Sequence, residues 1–312
     1  MDTTKRTRVG IIGLGGIASK VYLPLLSTHS KVEIAGVMNR SIERVENVQQ
    51  AYRLSNGTTD IKELLSWELD AVFVHTATEA HFEIVMQCLE QGLAVYVDKP
   101  LSYKLRESEE MTAFAEAQGL LLGVGFNRRF APLYQKAKEW MRAGGGYDSL
   151  TVTKHRTGIQ DRPAAETIYD DLIHMLDLLY WYSDGDVELL QHWIRKTDTD
   201  RLLHASGAVK LGRTAYGRYD MVREAGADLE KIELHGRGRS VEVVNMEIAR
   251  YAERGGLEQQ EMFGSWDGIL ARRGFAGAVD HFLASIETPD DCLISASHVM
   301  ESHELAEQLI RK

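Results

Sequence analysis

Arg8-Val9-Gly10-Ile11-Ile12-Gly13-Leu14-Gly15-Gly16-Ile17-Ala18 carries the first decision about the fold. A short apolar, β-branched run gives way to Gly-x-Gly-x-x-Ala, and a helical segment follows. Gly13 permits a tight turn after a strand, and Gly15 lets backbone N–H groups approach a pyrophosphate. Ala18 is small enough for close helix–strand packing. The following helix offers its positive N-terminal end to an anion. A glycine-rich turn with no ligand has the same spelling, so context decides between them.

The context is an alternation. Apolar runs predict strands at Arg8–Ile12, Val32–Met38, Asp70–His75, Ala94–Val97 and Leu120–Gly125. Most are separated by helical spacing, as in Ala80–Glu90 and Lys104–Gln118, where Leu105, Met111, Phe114 and Ala115 can share a face. Strands alternating with helices imply βαβ units and a parallel sheet. Right-handed crossovers then put helices on both of its faces. A glycine loop that opens this pattern is expected to bind a dinucleotide.

Beyond residue 125 the texture changes. A helix is expected at Pro132–Arg142, followed by the breaker Gly144-Gly145-Gly146. Strands are expected at Ser149–Lys154, Val187–Arg195, Ala215–Tyr219, Lys231–His235 and Ser240–Val244, with one long helix at Thr167–Tyr182. Helices near Phe275–Ile286 and Ser297–Ile310 close the chain. Strands without intervening helices suggest a mostly antiparallel sheet. The expected fold class is therefore α/β: a Rossmann-type doubly wound parallel sheet in residues 1–125, and an α+β domain in residues 126–312.

Composition fits that architecture. The chain has 312 residues, 44% hydrophobic and 26% charged, enough for about two domains with sizeable cores. Its formal net charge of -10 argues against nucleic acid or an anionic membrane as partner. The 2 cysteines, Cys88 and Cys292, make no disulfide framework, and no Cys/His cluster has zinc-site spacing. His298 and His303 do not share a helical face, and His192 and His204 fall in strand and loop segments. No metal site is expected. The polar start has no secretory apolar region, and no apolar run is long enough to span a bilayer. A cytoplasmic protein is the expectation.

The second predicted strand ends Val37-Met38-Asn39-Arg40. A site preferring NAD usually places a carboxylate here for the ribose 2′-hydroxyl. Asn39 is uncharged, and Arg40 can meet a 2′-phosphate with a charge-assisted bond. Arg40 can also stack on adenine or lie exposed at a helix start. NADP is the preferred cofactor on this reading, with NAD the alternative.

Two segments could carry chemistry. Ala94–Val97 ends in Asp98-Lys99-Pro100, and ligands of open parallel sheets lie outside the carboxyl ends of the strands. Taken alone, a lysine at a strand end is more often structural. The helix Thr167–Tyr182 is apolar nearly all round, through Leu172, Ile173, Met175, Leu176, Leu178 and Leu179, and is expected to be buried. Yet Asp170, His174 and Asp177 fall on one stripe of it. Buried polar groups need partners. The stripe is either a set of structural pairs or the polar wall of a substrate pocket.

Together these elements resemble the family of glucose–fructose oxidoreductase and inositol dehydrogenase (Gfo/Idh/MocA), over nearly the whole chain. Gly13-x-Gly15-x-x-Ala18 is similar to its cofactor loop. His75-Thr76-Ala77-Thr78-Glu79-Ala80-His81 resembles the segment lying along the cofactor. Asp98-Lys99-Pro100 resembles its Glu-Lys-Pro motif, with Asp in place of Glu. Gly125-Phe126-Asn127-Arg128-Arg129-Phe130 resembles the start of its second domain, and Asp170-x-x-x-His174 its catalytic helix. A bacterial branch labelled a virulence factor shares the Asp-Lys-Pro variant and a Lys-His-Arg run, here Lys154-His155-Arg156.

The resemblance implies an enzyme, an NAD(P)-dependent oxidoreductase acting on a sugar, polyol or related hydroxy or keto compound. It implies that Leu14, Gly16, Ile17, Thr76, Ala77, Thr78, His81, Asp98, Lys99 and Arg128 join Gly13, Gly15, Ala18, Asn39 and Arg40 around the cofactor. His174 would be the general acid or base, and an imidazole pKa of about 6.5 suits the role. Asp170 would orient its ring, and Lys99 would stabilise developing alkoxide charge. Shortening Glu to Asp at position 98 bears on how Lys99 is positioned. Asn127 and Arg156 are candidate substrate residues. Arg156 would favour an acidic or phosphorylated substrate, unless it sits in a strand-end ion pair. The second domain would bind substrate and mediate a homodimer or higher homo-oligomer. Two alternatives stay open: a non-catalytic dinucleotide sensor, and an enzyme that recycles a tightly bound cofactor.

Overall fold

In the computed structural model, which describes residues 6–311, the alternating pattern forms one six-stranded parallel sheet. Its strands are β1 (Thr7–Ile12), β2 (Val32–Met38), β3 (Gly57–Thr58), β4 (Ala71–Val74), β5 (Ala94–Val97) and β6 (Leu122–Val124). The order is β3-β2-β1-β4-β5-β6, so the chain reverses direction across the sheet beside β1. All residues of β4 and β5 are buried, as expected where helices cover both faces. The two-residue β3 gives the sequence no apolar run to read.

The chain divides into two compact units at Gly125–Phe126. Residues 126–312 do not all stay together: Ala278–Met300 belongs to the first unit. The reason is the free edge of β6. The Ile294 carbonyl accepts the Val124 N–H at 2.8 Å, and Gly123 leaves room for the Phe282 ring. An open sheet edge is thereby covered. Phe282 completes an aromatic cluster with Phe73 and Tyr96, ring centroids 5.5 and 5.3 Å away.

The second unit is built on an eight-stranded sheet. Its strands are β7 (Ser149–His155), β8 (Val187–Lys196), β9 (Leu202–Leu211), β10 (Ala215–Val222), β11 (Leu229–Gly236), β12 (Arg239–Val244), β13 (Ile248–Glu253) and β14 (Gln259–Met262). The order is β14-β13-β12-β11-β7-β10-β9-β8, antiparallel except between β7 and β10. Burial alternates along β9, β10 and β11, so one face is covered. The helix Ile173–Ser183 packs on that face against β7, β8 and β10.

Candidate active site

The glycine loop is shaped by a backbone that only glycine tolerates. Gly13 sits at φ +89°, and a Cβ there would lie 2.7 Å from the His75 carbonyl carbon and oxygen and the Thr76 nitrogen. Gly15 and Gly16 face open space, with nothing within 4 Å of an added Cβ. A cavity of about 400 Å³ opens here, at the carboxyl ends of β1, β2 and β4. Gly13, Gly15, Asn39, Arg40, Thr76 and Ala77 line it, and so does Arg44.

The remaining residues of the loop support this cradle. The Leu14 N–H donates to Asn39 Oδ1 at 3.2 Å, tying the loop to the residue that follows β2. Ala18 is fully buried, whereas Ile17 is 38% exposed. Arg40 and Arg44 are exposed, and neither guanidinium has an ion-pair partner among the described residues. An open, glycine-walled cavity carrying two unpaired arginines fits the phosphates of a dinucleotide.

Thr78 begins a short 3-10 turn, Thr78–Ala80, next to the cavity's Ala77 and Ala80. His81 is not on the cavity wall: it is 1% exposed, below the loop. Its Nδ1 faces the Pro100 carbonyl at 2.9 Å and its Nε2 the Thr76 carbonyl at 3.3 Å. His81 thus joins the segment after β4 to the segment after β5. Burial lowers its pKa from the ordinary imidazole value.

Asp98 also points inward, to His75 Nδ1 at 3.1 Å. The His75 ring stacks on Tyr22 at 3.9 Å. Burial alone would raise the Asp98 pKa, but His75, His81 and Lys99 outweigh it and hold the carboxyl below its usual range. Lys99 follows, half-buried, with a cis bond to Pro100.

In the second unit the helix that carries Asp170 and His174 is not regular. A π turn, Ile168–Leu172, separates the short helix Ala164–Thr167 from Ile173–Ser183. The expected stripe of Asp170, His174 and Asp177 is divided among different partners. Asp177, fully buried, takes a two-pronged pair from Arg129 and a bond from Ser302 at 3.1 Å. It is a structural ion pair, not a pocket wall. Asp170 accepts from Gln160 at 3.0 Å and lies 3.5 Å from Arg162. His174 is 6% exposed, and the Phe126 ring meets it edge-on at 6.1 Å.

Three further expectations are redirected. Arg128, expected at the cofactor, gives two bonds of 2.7 Å to Glu230. Arg156 bonds the same carboxylate at 2.5 Å, a strand-end ion pair that still leaves its side chain partly open to solvent. Asn127 donates to the Arg273 carbonyl at 2.7 Å and is 4% exposed, so it fastens backbone. Asp171, Glu230 and Arg223, which the sequence did not single out, prove central to the same charge cluster. Arg44 was also missed; it lies in the first turn of the helix Ile42–Tyr52, four residues after Arg40.

Residues 7–126 match the oxidoreductase family with an NAD-binding Rossmann fold, GFO_IDH_MocA, and residues 132–254 match the YceM-like C-terminal domain. The candidate oxidoreductase YceM of Salmonella typhimurium is 33% identical over 305 residues, 95% of this chain and 96% of its own. The crystal structure of a dehydrogenase, MviM, from Clostridium difficile has a TM-score of 0.92 at 31% identity, covering 98% of this chain and 99% of that one. The scyllo-inositol 2-dehydrogenase (NADP+) IolW of Bacillus subtilis is 27% identical over 188 residues, 57% of this chain and 51% of its own. The chain belongs to the Gfo/Idh/MocA oxidoreductase family, as the order of its five motifs implied. It is a nicotinamide-dependent oxidoreductase. Among the described residues no helix is long and apolar enough to cross a membrane.

Proposed function

We propose that the protein transfers a hydride between a nicotinamide dinucleotide and a hydroxyl- or keto-bearing carbon of a sugar, polyol or related compound. The observation that carries this reading is the open glycine cradle at the carboxyl ends of β1, β2 and β4, with Lys99 following β5 of the same sheet. The inositol dehydrogenase among the relatives supports the substrate class. When bound, the dinucleotide supplies the hydride chemistry. The loop of Gly13, Leu14 and Gly15 would hold its pyrophosphate, and Asn39, Arg40 and Arg44 its adenosine side. The absence of a carboxylate at position 39, beside two arginines, favours NADP over NAD.

Lys99 donates to the substrate oxygen and stabilises alkoxide charge. His174 takes or returns the hydroxyl proton, and Asp170 is its positioning residue. A homo-oligomer is part of the proposal. Trp193 and Tyr216, 54% and 59% exposed, support it from strands β8 and β10. Light scattering that gives a monomer mass at micromolar concentration would count against it.

The test is turnover at 340 nm on a panel of sugars and polyols with NADP+ or NAD+, and with NADPH or NADH on the matching ketones. Wild type is expected to turn over, while Lys99→Ala and His174→Ala lose turnover and still bind cofactor. Tight cofactor binding with no turnover on the panel would instead mark a sensor. A rise and fall at 340 nm within one turnover, with no release, would mark a recycled cofactor.

A further inference from the structure

One end of the second unit's sheet buries more positive than negative charge. Lys154 of β7 and Glu230 of β11 are register partners, with Nζ 3.8 Å from Oε1. Glu230 also serves Arg128 and Arg156. Asp171, carried by the π turn, pairs with both Lys154 and Arg223 and lies 3.9 Å from Arg156. Four cations therefore share two carboxylates. Lys154, Arg223 and Arg128 are 2%, 4% and 8% exposed.

The Arg129–Asp177 pair of the same unit shows the ordinary solution, one buried cation to one buried carboxylate. The cluster departs from it by two charges. Buried charge without a counter-charge is costly. Arg223 Nε is in addition a buried donor with no hydrogen-bond partner among the described residues. Burial and the neighbouring Arg128 pull the Lys154 ammonium down to about 8. Arg156, its side chain 24% exposed, is the member most open to solvent.

We propose that this cluster is an anion subsite that takes an oxyanion, phosphate ester or carboxylate, carried by the substrate. Two surplus charges match a dianion, and the unpartnered Arg223 Nε and the solvent-facing Arg156 guanidinium offer donors for its oxygens, while the Arg128 fork stays on Glu230. The substrate class is then an anionic sugar or polyol derivative rather than a neutral one. Assigning the anion to the substrate rests on the oxidoreductase reading; the anion site itself does not.

The test is calorimetric titration of inorganic phosphate, and separately malonate, into protein saturated with NADP+ at constant ionic strength and pH 7. Saturating dinucleotide fills the glycine cradle, so the probe reports the cluster. Saturable binding of either probe is expected, weakened at least about tenfold in Arg156→Gln. Arg223→Lys keeps a cation for Asp171 but removes the Nε donor, and is expected to weaken it too. Tighter phosphate binding assigns an ester, and tighter malonate binding a carboxylate. The proposal is overturned if neither probe binds wild type, or if both variants, folded by circular dichroism, bind as wild type does. The titration needs no turnover. Failure of hydride transfer on every substrate leaves it standing, and absent probe binding overturns the subsite with turnover intact.

Discussion

Removing Arg40 and Arg44 tests the cofactor preference where it is most exposed to refutation. Both line the glycine-loop cavity, and neither is committed to a carboxylate among the described residues. A hydrogen bond to a charged group is worth about 1.5–3 kcal/mol. Both side chains are exposed, so the lower end applies to each. One deletion then costs about 1.5 kcal/mol, or roughly tenfold in the Kd of NADPH. The double variant approaches a hundredfold, less whatever the neighbours share. NADH has no 2′-phosphate and should move less than about twofold. Added salt should weaken NADPH binding more than NADH binding, because the exposed arginines and the 2′-phosphate are screened. Asn39→Asp should reverse the preference: it keeps an acceptor for the Leu14 N–H but sets a carboxylate against the 2′-phosphate. Fluorescence titration of both reduced cofactors measures every arm. Equal affinities in wild type, or a gap that survives the double variant, would refute the assignment.

Gly13→Ala is expected to lower dinucleotide affinity by more than tenfold and to lower the melting temperature. The new methyl meets backbone of His75 and Thr76, which cannot swing aside; affinity equal to wild type would remove Gly13 from the turn. Arg129→Leu strands the Asp177 carboxylate and should cost about 3–5 kcal/mol in urea unfolding, while adding Asp177→Leu should recover most of it. A double variant no more stable than the single would show that the pair is not the source of the loss. Lys154 titrates at about 8 in the folded chain, below the roughly 10.4 of an unfolded lysine. Between those values the unfolded chain binds the extra proton, so stability rises with pH. From pH 8 to 10 wild type should therefore gain on Lys154→Met in chemical unfolding, and parallel curves would sink the idea.

The first unit was legible because its signals are local. β2 and β5 fall where the apolar runs place them, and the glycine turn needs only its own residues to be read. The second unit was less so. β9 was missed because Ala205, Ser206, Gly207 and Ala208 give a weak strand signal. Gly207 is there for packing: a Cβ would lie 2.4 Å from the Tyr219 hydroxyl, so only glycine admits that ring. The stripe on Thr167–Tyr182 assumed a regular helix. The π turn breaks that spacing and gives the buried pairing role to Asp171, not Asp170. Arg128 meets Glu230 across 102 positions of sequence, and no local pattern announces such a pair.

At position 98 the carboxylate belongs to a unit that spans two adjacent strands. By the motif alone, Asp for Glu shortens a side chain and loosens the lysine beside it. In the fold, β4 and β5 run in parallel with Val74 opposite Val97, so His75 and Asp98 are the next residues on adjacent strands. At that spacing a short carboxylate suffices, because the imidazole supplies the reach and the bond closes at 3.1 Å. Tyr22 holds the ring from the other side, with its own hydroxyl 3.2 Å from that of Tyr96. His81 then fixes the Pro100 carbonyl. Lys99 is therefore bounded by an anchored residue on each side. The Asp and His75 act as one unit, and the shortened side chain is a compensated exchange rather than a weakened site.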